Sequence, residues 1–136
     1  MSFDLYLQPA VPGQSLDISR SELRALFPVF DADSKPDYWS IRYDSLNSCH
    51  IGVKSAPSSN DHLASFYVER PCGDGRFWEA LFLVLQRGYI VLYFPGGPPI
   101  VANEEVAAAL APDIVGSSPP RCVRSAAEIL KILGES

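Results

Sequence analysis

The sequence predicts a single α+β domain in which one antiparallel or mixed β-sheet of about five strands packs against helices. Some segments alternate apolar and polar residues as strands do, and others carry a helix cap followed by an apolar stripe. Their predicted order along residues 1–136 is β-α-β-β-β-α-β-α-α. The 136 residues, 47% of them hydrophobic and 20% charged, can form one core but are too few for two domains.

The first strand and the first helix are predicted near the N-terminus. Residues 3–8 alternate between apolar and polar, which is the period of a strand. Ser19 and Glu22 have the spacing of a capping box. A helix should therefore begin near Ser19 and end before Pro28, because proline interrupts helical hydrogen bonding.

Three further strands are predicted in the middle of the chain. Residues 38–44 and 49–54 both alternate, and Asn47-Ser48 between them is a plausible tight turn. These two segments should form an antiparallel hairpin. Residues 62–70 are rich in bulky side chains and should form the next strand.

Residues 77–99 carry the most structural information and should supply much of the core. A helix is predicted near residues 75–87, because Asp74 can cap its start and Gly88 is a natural left-handed stop. Residues 89–94 lack clean alternation, as expected of a central strand that is covered on both faces.

Two more helices are predicted towards the C-terminus. Asn103 followed by two glutamates is a strong helix start. Ser125 and Glu128 form a second capping box, which should begin a C-terminal amphipathic helix. Residues 112–120, between these helices, should be irregular.

Charge and composition narrow the possible ligands and compartments. The net charge of −5 argues against nucleic acid, because phosphate binding needs an excess of Lys and Arg. No apolar run approaches the roughly 20 residues that span a bilayer, and no signal peptide is recognisable. Three cysteines without a CxxC pair favour reduced thiols, so a cytoplasmic location is expected. No cofactor is expected.

Cys49, His50 and His62 are the residues whose side chains invite a catalytic or metal hypothesis. A cysteine nucleophile needs a neighbouring imidazole and a third group that orients it. Adjacent residues on a strand point to opposite faces, so Cys49 and His50 cannot pair directly, whereas His62 could reach either.

Buried cysteines and surface histidines are the default interpretation of these residues. No regular spacing of zinc ligands links them, so neither a catalytic residue nor a metal ligand is assigned. A small enzyme that uses Cys49, His62 and an acid is kept as an alternative function.

A group of acidic residues surrounds two predicted loops. Collective negative charge of this kind can steer a basic protein partner, and an aromatic residue beside it can anchor the interface. The predicted partner-binding residues are Asp31, Asp33, Asp37, Tyr38, Asp44 and Asp61.

Two segments carry a family resemblance. The opening Met-Ser-Phe-Asp-Leu-Tyr-Leu, together with the pattern from Phe77-Trp78 through Leu81-Phe82 to the Tyr-Ile-Val-Leu-Tyr-Phe-Pro-Gly of residues 89–96, resembles small bacterial immunity-type proteins found beside polymorphic toxins. The resemblance implies a cytoplasmic antitoxin that binds and blocks a cognate toxin, possibly a basic nuclease. It transfers no catalytic residue.

The leading hypothesis is therefore an immunity protein that inhibits a toxin through an acidic surface. It would be a monomer or a homodimer, with neither nucleic acid nor membrane as a direct partner. A homodimeric structural domain, with Leu83 or the C-terminal helix at the interface, is a further alternative.

Overall fold

The computed structural model describes residues 3–57, 59–110 and 118–135. Within these ranges the chain forms one mixed sheet of seven strands and four α-helices. The strands are β1 (Leu5–Pro9), β2 (Tyr38–Arg42), β3 (Ser48–Ala56), β4 (Ser59–Glu69), β5 (Ile90–Tyr93), β6 (Ile100–Val101) and β7 (Arg121–Cys122). The helices are α1 (Arg20–Ala25), α2 (Gly75–Leu85), α3 (Glu104–Ala109) and α4 (Ala126–Gly134).

The sheet confirms the predicted α+β class but not the predicted strand number. Its strand order is β2-β3-β4-β1-β5-β6-β7, and all neighbours are antiparallel except β6 and β7, which are parallel. The prediction of about five strands was wrong because β6 and β7 have two residues each, too few to show alternation. The described order is therefore β-α-β-β-β-α-β-β-α-β-α, and most of residues 112–120 lies outside the described ranges.

One face of the sheet forms the main core with α1, α2 and α4. Leu5 and Leu7 of β1 are fully buried in this cluster, at the centre of the sheet. Burial of each such side chain contributes roughly 1.5–3 kcal/mol. Residues from the three helices that share the cluster include Leu23, Phe77, Trp78, Leu81, Val84, Leu85, Ile129, Ile132 and Leu133.

A smaller cluster covers part of the opposite face. Val106 of α3 packs there with Val91 of β5 and Val101 of β6. Because Leu92 belongs to the main core while Val91 belongs to this second cluster, β5 is covered on both sides, as predicted.

The predicted helix starts are confirmed by their hydrogen bonds. Ser19 and Glu22 form the reciprocal capping box of α1. At the start of α4 the Ser125 hydroxyl accepts the Glu128 N–H, but among the described hydrogen bonds the Glu128 side chain does not accept the Ser125 N–H, so the second predicted capping box is half formed. The Asp74 carboxylate accepts the Arg76 N–H at 2.9 Å at the start of α2. These side chains satisfy N–H groups that the first helical turn leaves without a partner.

Several predicted boundaries were wrong. The hairpin of β2 and β3 forms as predicted, but Ser48 belongs to β3, and residues 43–47 connect the strands in place of a tight turn at Asn47-Ser48. β4 begins at Ser59, before the predicted position 62.

Among the described residues, no helix combines the length and the apolar character needed to cross a membrane.

Gly88 does not end α2 in the way the sequence suggested. It is absent from the positive-φ glycines, which are Gly13 and Gly96 among the described residues, and α2 ends with Gln86 as its C-cap. Instead, a Cβ at Gly88 would stand 2.2 Å from the Asp17 carboxylate, which accepts the Tyr89 N–H at 2.8 Å. A close approach, and not a left-handed conformation, therefore requires glycine here.

We expect Gly88→Ala to lower the free energy of unfolding by about 1–3 kcal/mol, because the added methyl group displaces Asp17. Gly73→Ala is the matched control, since a Cβ at Gly73 meets nothing within 4 Å. Urea unfolding monitored by tryptophan fluorescence measures both. Equal stability of the two variants would contradict this role of Gly88.

Candidate functional site

The face of the sheet away from α1, α2 and α4 carries a row of four tyrosines and one glycine across five neighbouring strands. In the strand register Tyr38 lies opposite Gly52, Gly52 opposite Tyr67, Tyr67 opposite Tyr6, and Tyr6 opposite Tyr93. We call these five residues the tyrosine row. Their position follows from the period of a strand, because Leu5 and Leu7 on either side of Tyr6 point into the main core.

Gly52 makes the row continuous. A Cβ at this position would stand 2.1 Å from the ring of Tyr67, so the ring occupies space that any other residue would fill. Tyr6 is 41% exposed, and Tyr38 and Tyr67 are half-buried. Tyr93 packs against the smaller cluster that contains Val106 of α3. The row is therefore an aromatic surface that is accessible along β2, β4 and β1.

A concavity of about 540 Å³ opens beside the row, where β2, β3 and β4 meet the residues before β1. We call it the carboxylate pocket, because Asp4 and Glu69 line it together with Tyr38, His50 and Arg70. Its other lining residues are Ser48 and Cys49.

Tyr38 connects the row to this pocket. Its ring stacks on His50 with centroids 4.9 Å apart and an interplanar angle of 9°. Its hydroxyl donates to the Glu69 carboxylate at 2.6 Å, and this hydrogen bond, assisted by burial, raises the pKa of Tyr38 to about 12. Tyr38 therefore remains a protonated donor at neutral pH, and its ring is held in one orientation.

Three of the predicted partner-binding acids form ion pairs with arginines. Asp31 pairs with Arg24, Asp33 with Arg42 at 3.2 Å, and Asp37 with Arg20 at 2.9 Å. All three aspartates are exposed. The surface that appears purely acidic in the sequence is thus a set of ion pairs, which reduces its local net charge.

Asp44 and Asp61 accept hydrogen bonds from nearby groups. Asp44 accepts from Asn47 and from the backbone N–H of Leu46, and these bonds lower its pKa. The Ser21 hydroxyl donates to Asp61 at 2.6 Å and lowers the pKa of that carboxyl.

The structure spreads the predicted partner-binding residues over several places. Asp37 and Asp61 come together at the start of α1, because they contact the consecutive residues Arg20 and Ser21. Asp44 follows the other end of β2, and Tyr38 lies in the tyrosine row. Sequence reasoning identified Tyr38 but missed Asp4, Glu69 and the other tyrosines of the row. Glu69 and these tyrosines share one signal, a bulky polar side chain at an outward strand position, whereas Asp4 precedes β1.

Cys49 and His50 lie on opposite faces of β3, as predicted. The Cys49 thiol is buried in the main core, where burial and the neighbouring Cys72 thiol raise its pKa to about 12. A thiol with this pKa is almost entirely protonated at neutral pH and is a poor nucleophile.

The pair of Cys49 and His62 that the enzyme alternative needs does not form. Cys49 and His62 lie near opposite ends of the paired strands β3 and β4. Cys49 is next to His50, and His50 pairs with Glu69 of β4. His62 lies seven residues before Glu69 on β4, which is roughly 23 Å along the strand at about 3.3 Å per residue. Within the described ranges, no group of three or more His, Cys, Asp or Glu side chains could hold a metal ion.

Comparison of the chain with protein-family models, with curated proteins and with solved structures gives no match.

We expect Cys49 in the native protein to be alkylated more slowly than a free peptide thiol, because its thiolate is disfavoured by burial. Cys122 is only partly buried and should be the first of the three cysteines to react. Peptide mapping by mass spectrometry after timed iodoacetamide treatment measures each site. Faster modification of Cys49 than of a peptide thiol would revive the enzyme alternative.

We expect the charge of Asp44 to stabilise the protein at neutral pH and to lose this effect in acid. Its pKa is lowered on folding, so the contribution is complete above the unfolded pKa of about 3.9 and disappears as the pH falls through the folded value. Asp44→Asn should therefore be less stable than the original protein at pH 7, and the two stabilities should converge as the pH falls through the folded pKa of Asp44. Urea midpoints measured from pH 7 downwards test this, and a difference that does not change with pH would contradict it.

Proposed function

We propose that this protein binds another protein and that it is an immunity-type inhibitor of a cognate bacterial toxin. The observation that carries the proposal is the tyrosine row, an aromatic surface that lies on the sheet face opposite the main core. The resemblance of residues 1–7 and 77–96 to immunity-type proteins supplies the class of partner.

The composition of this sheet face supports protein binding. Tyrosine presents a large apolar ring and a polar hydroxyl at low cost in conformational entropy, and it is enriched in interfaces and in antibody paratopes. Small and polar residues separate the rings here, as they do in paratopes. Positions on this face beside the row that are at least partly exposed include Ser48, His50 and Ser65.

The acidic residues fit the same proposal as a polar border. Asp33, which pairs with Arg42, lies next to the β2 edge of this face, and Asp37 immediately precedes Tyr38. The net charge of −5 would accelerate association with a basic partner, since steering depends on the summed charge. Asp31, Asp44 and Asp61 contribute to this field without direct contacts being required.

The other two functions have less support. The enzyme alternative lacks its Cys49–His62 pair. Leu83 is 51% exposed on α2, but the large apolar residues of α4 pack in or against the main core, so of the interface predicted for the homodimer alternative Leu83 is the exposed part.

The proposal is tested by co-expressing the chain with the product of the neighbouring gene. We expect a stable complex on affinity purification and restored growth of cells that express this product as a toxin. Absence of both the complex and the rescue would refute the proposal.

We expect Tyr6→Ala to weaken binding of this toxin by about tenfold or more, because truncating an interface anchor costs at least about 1.4 kcal/mol. Leu83→Ala is the control, since it removes a similarly exposed apolar side chain from α2, which packs against the opposite face. Titration calorimetry with matched melting temperatures measures both. Weaker binding by Leu83→Ala alone would place the interface on α2.

A further inference from the structure

We infer that the carboxylate pocket receives an arginine side chain of the partner protein. This inference rests on the proposed function, which it extends by naming a contact and the residue type that makes it. The pocket lies beside the tyrosine row, so a partner docked on the row would place a side chain within its reach.

Both carboxylates of the pocket retain acceptor capacity. Glu69 accepts the Tyr38 hydroxyl at 2.6 Å, and Asp4 accepts the Arg70 N–H at 3.2 Å. Among the described residues these are the hydrogen bonds that the two side chains accept, whereas an ionised carboxylate has about four acceptor sites. Donors from a partner can therefore bind without displacing an existing contact.

The aromatic part of the pocket favours a planar cation. The rings of Tyr38 and His50 are stacked, and the Tyr38 hydroxyl donates a hydrogen bond to Glu69. The aromatic surface therefore lies directly beside a carboxylate. A guanidinium group can stack on an aromatic ring while it donates two parallel hydrogen bonds to a carboxylate. A lysine ammonium offers a point charge and lacks this planar fork, so arginine is the better match.

The charges that line the pocket also favour a cation. Asp4 and Glu69 face one guanidinium, that of Arg70, and within the described residues this guanidinium forms no ion pair with either carboxylate. Arg70 is exposed and lines the pocket. An incoming arginine thus meets two carboxylates, with Arg70 as the repulsive neighbour.

The test uses N-acetyl-arginine amide as the probe and N-acetyl-citrulline amide as its uncharged counterpart, each titrated into the ¹⁵N-labelled full chain. We expect saturable amide shifts around Asp4, Tyr38, His50 and Glu69 with the arginine compound and none with citrulline. Glu69→Gln should weaken the arginine compound by about tenfold, because it removes a charge-assisted pair.

Two further variants complete the design. Glu79→Gln removes the same charge from the exposed side of α2 and should leave probe binding unchanged. Arg70→Gln should strengthen binding of the arginine compound, because it removes the repulsive charge. Weaker binding by Arg70→Gln, or shifts of equal size with citrulline, would overturn the inference.

The inference and the proposed function fail in different ways. If the toxin binds the original protein and Glu69→Gln with equal affinity, and the probe does not bind, the inference is wrong and the proposed function stands. If the probe binds as described but the neighbouring gene product neither forms a complex nor is neutralised, the proposed function is wrong and the pocket remains an arginine site.

Discussion

The register of β1 between β4 and β5 determines which side chains of the sheet face the main core and which face away from it. β1 is the central strand of the seven, and its pairings place Leu5 opposite Val68 and Leu7 opposite both Phe66 and Leu92. A shift of one residue would turn Leu5 and Leu7 towards solvent and Tyr6 into the core. Hydrophobic burial therefore selects one register and excludes its neighbours.

The same register builds the candidate site. Once the leucines of β1 face the helices, Tyr6 must face the other way, and the pairings carry this choice across β4, β3 and β2 to Tyr38. The core and the tyrosine row are thus two faces of one set of strand pairs. Binding residues held on paired strands need little ordering when a partner arrives, which reduces the entropy cost of association.

The sequence predicted those features that depend on neighbours along the chain. The capping box of Ser19 and Glu22, the cap at Asp74 and the β2–β3 hairpin are local patterns, and all are present. β6 and β7 were not predicted, because a strand of two residues is too short to show an alternation of apolar and polar side chains. Gly88 was assigned the wrong role because its neighbour Asp17 is distant in sequence. The tyrosine row likewise required a register between strands that sequence periodicity does not supply.

The acidic surface illustrates the same limit. Its five aspartates were identified as a group, but the partners of Asp33 and Asp37 are Arg42 and Arg20, on different elements. Only the fold shows that these charges are paired. The proposed binding surface is therefore the tyrosine row with a charged border, and not the acidic residues alone. Exposed pairs of this kind add little stability and remain available to a partner.

One register aligns the tyrosines of four strands across Gly52. The most direct measurement is a nuclear Overhauser experiment that follows the ring protons of Tyr67. We expect strong cross-peaks from the Tyr67 ring to the Hα protons of Gly52 and further cross-peaks to Tyr6, which lies opposite Tyr67. Cross-peaks from the Tyr67 ring to the side chains of Ile51 or Val53 in place of Gly52 would mean that the strands pair one residue out of this register, and would contradict the alignment of the tyrosine row.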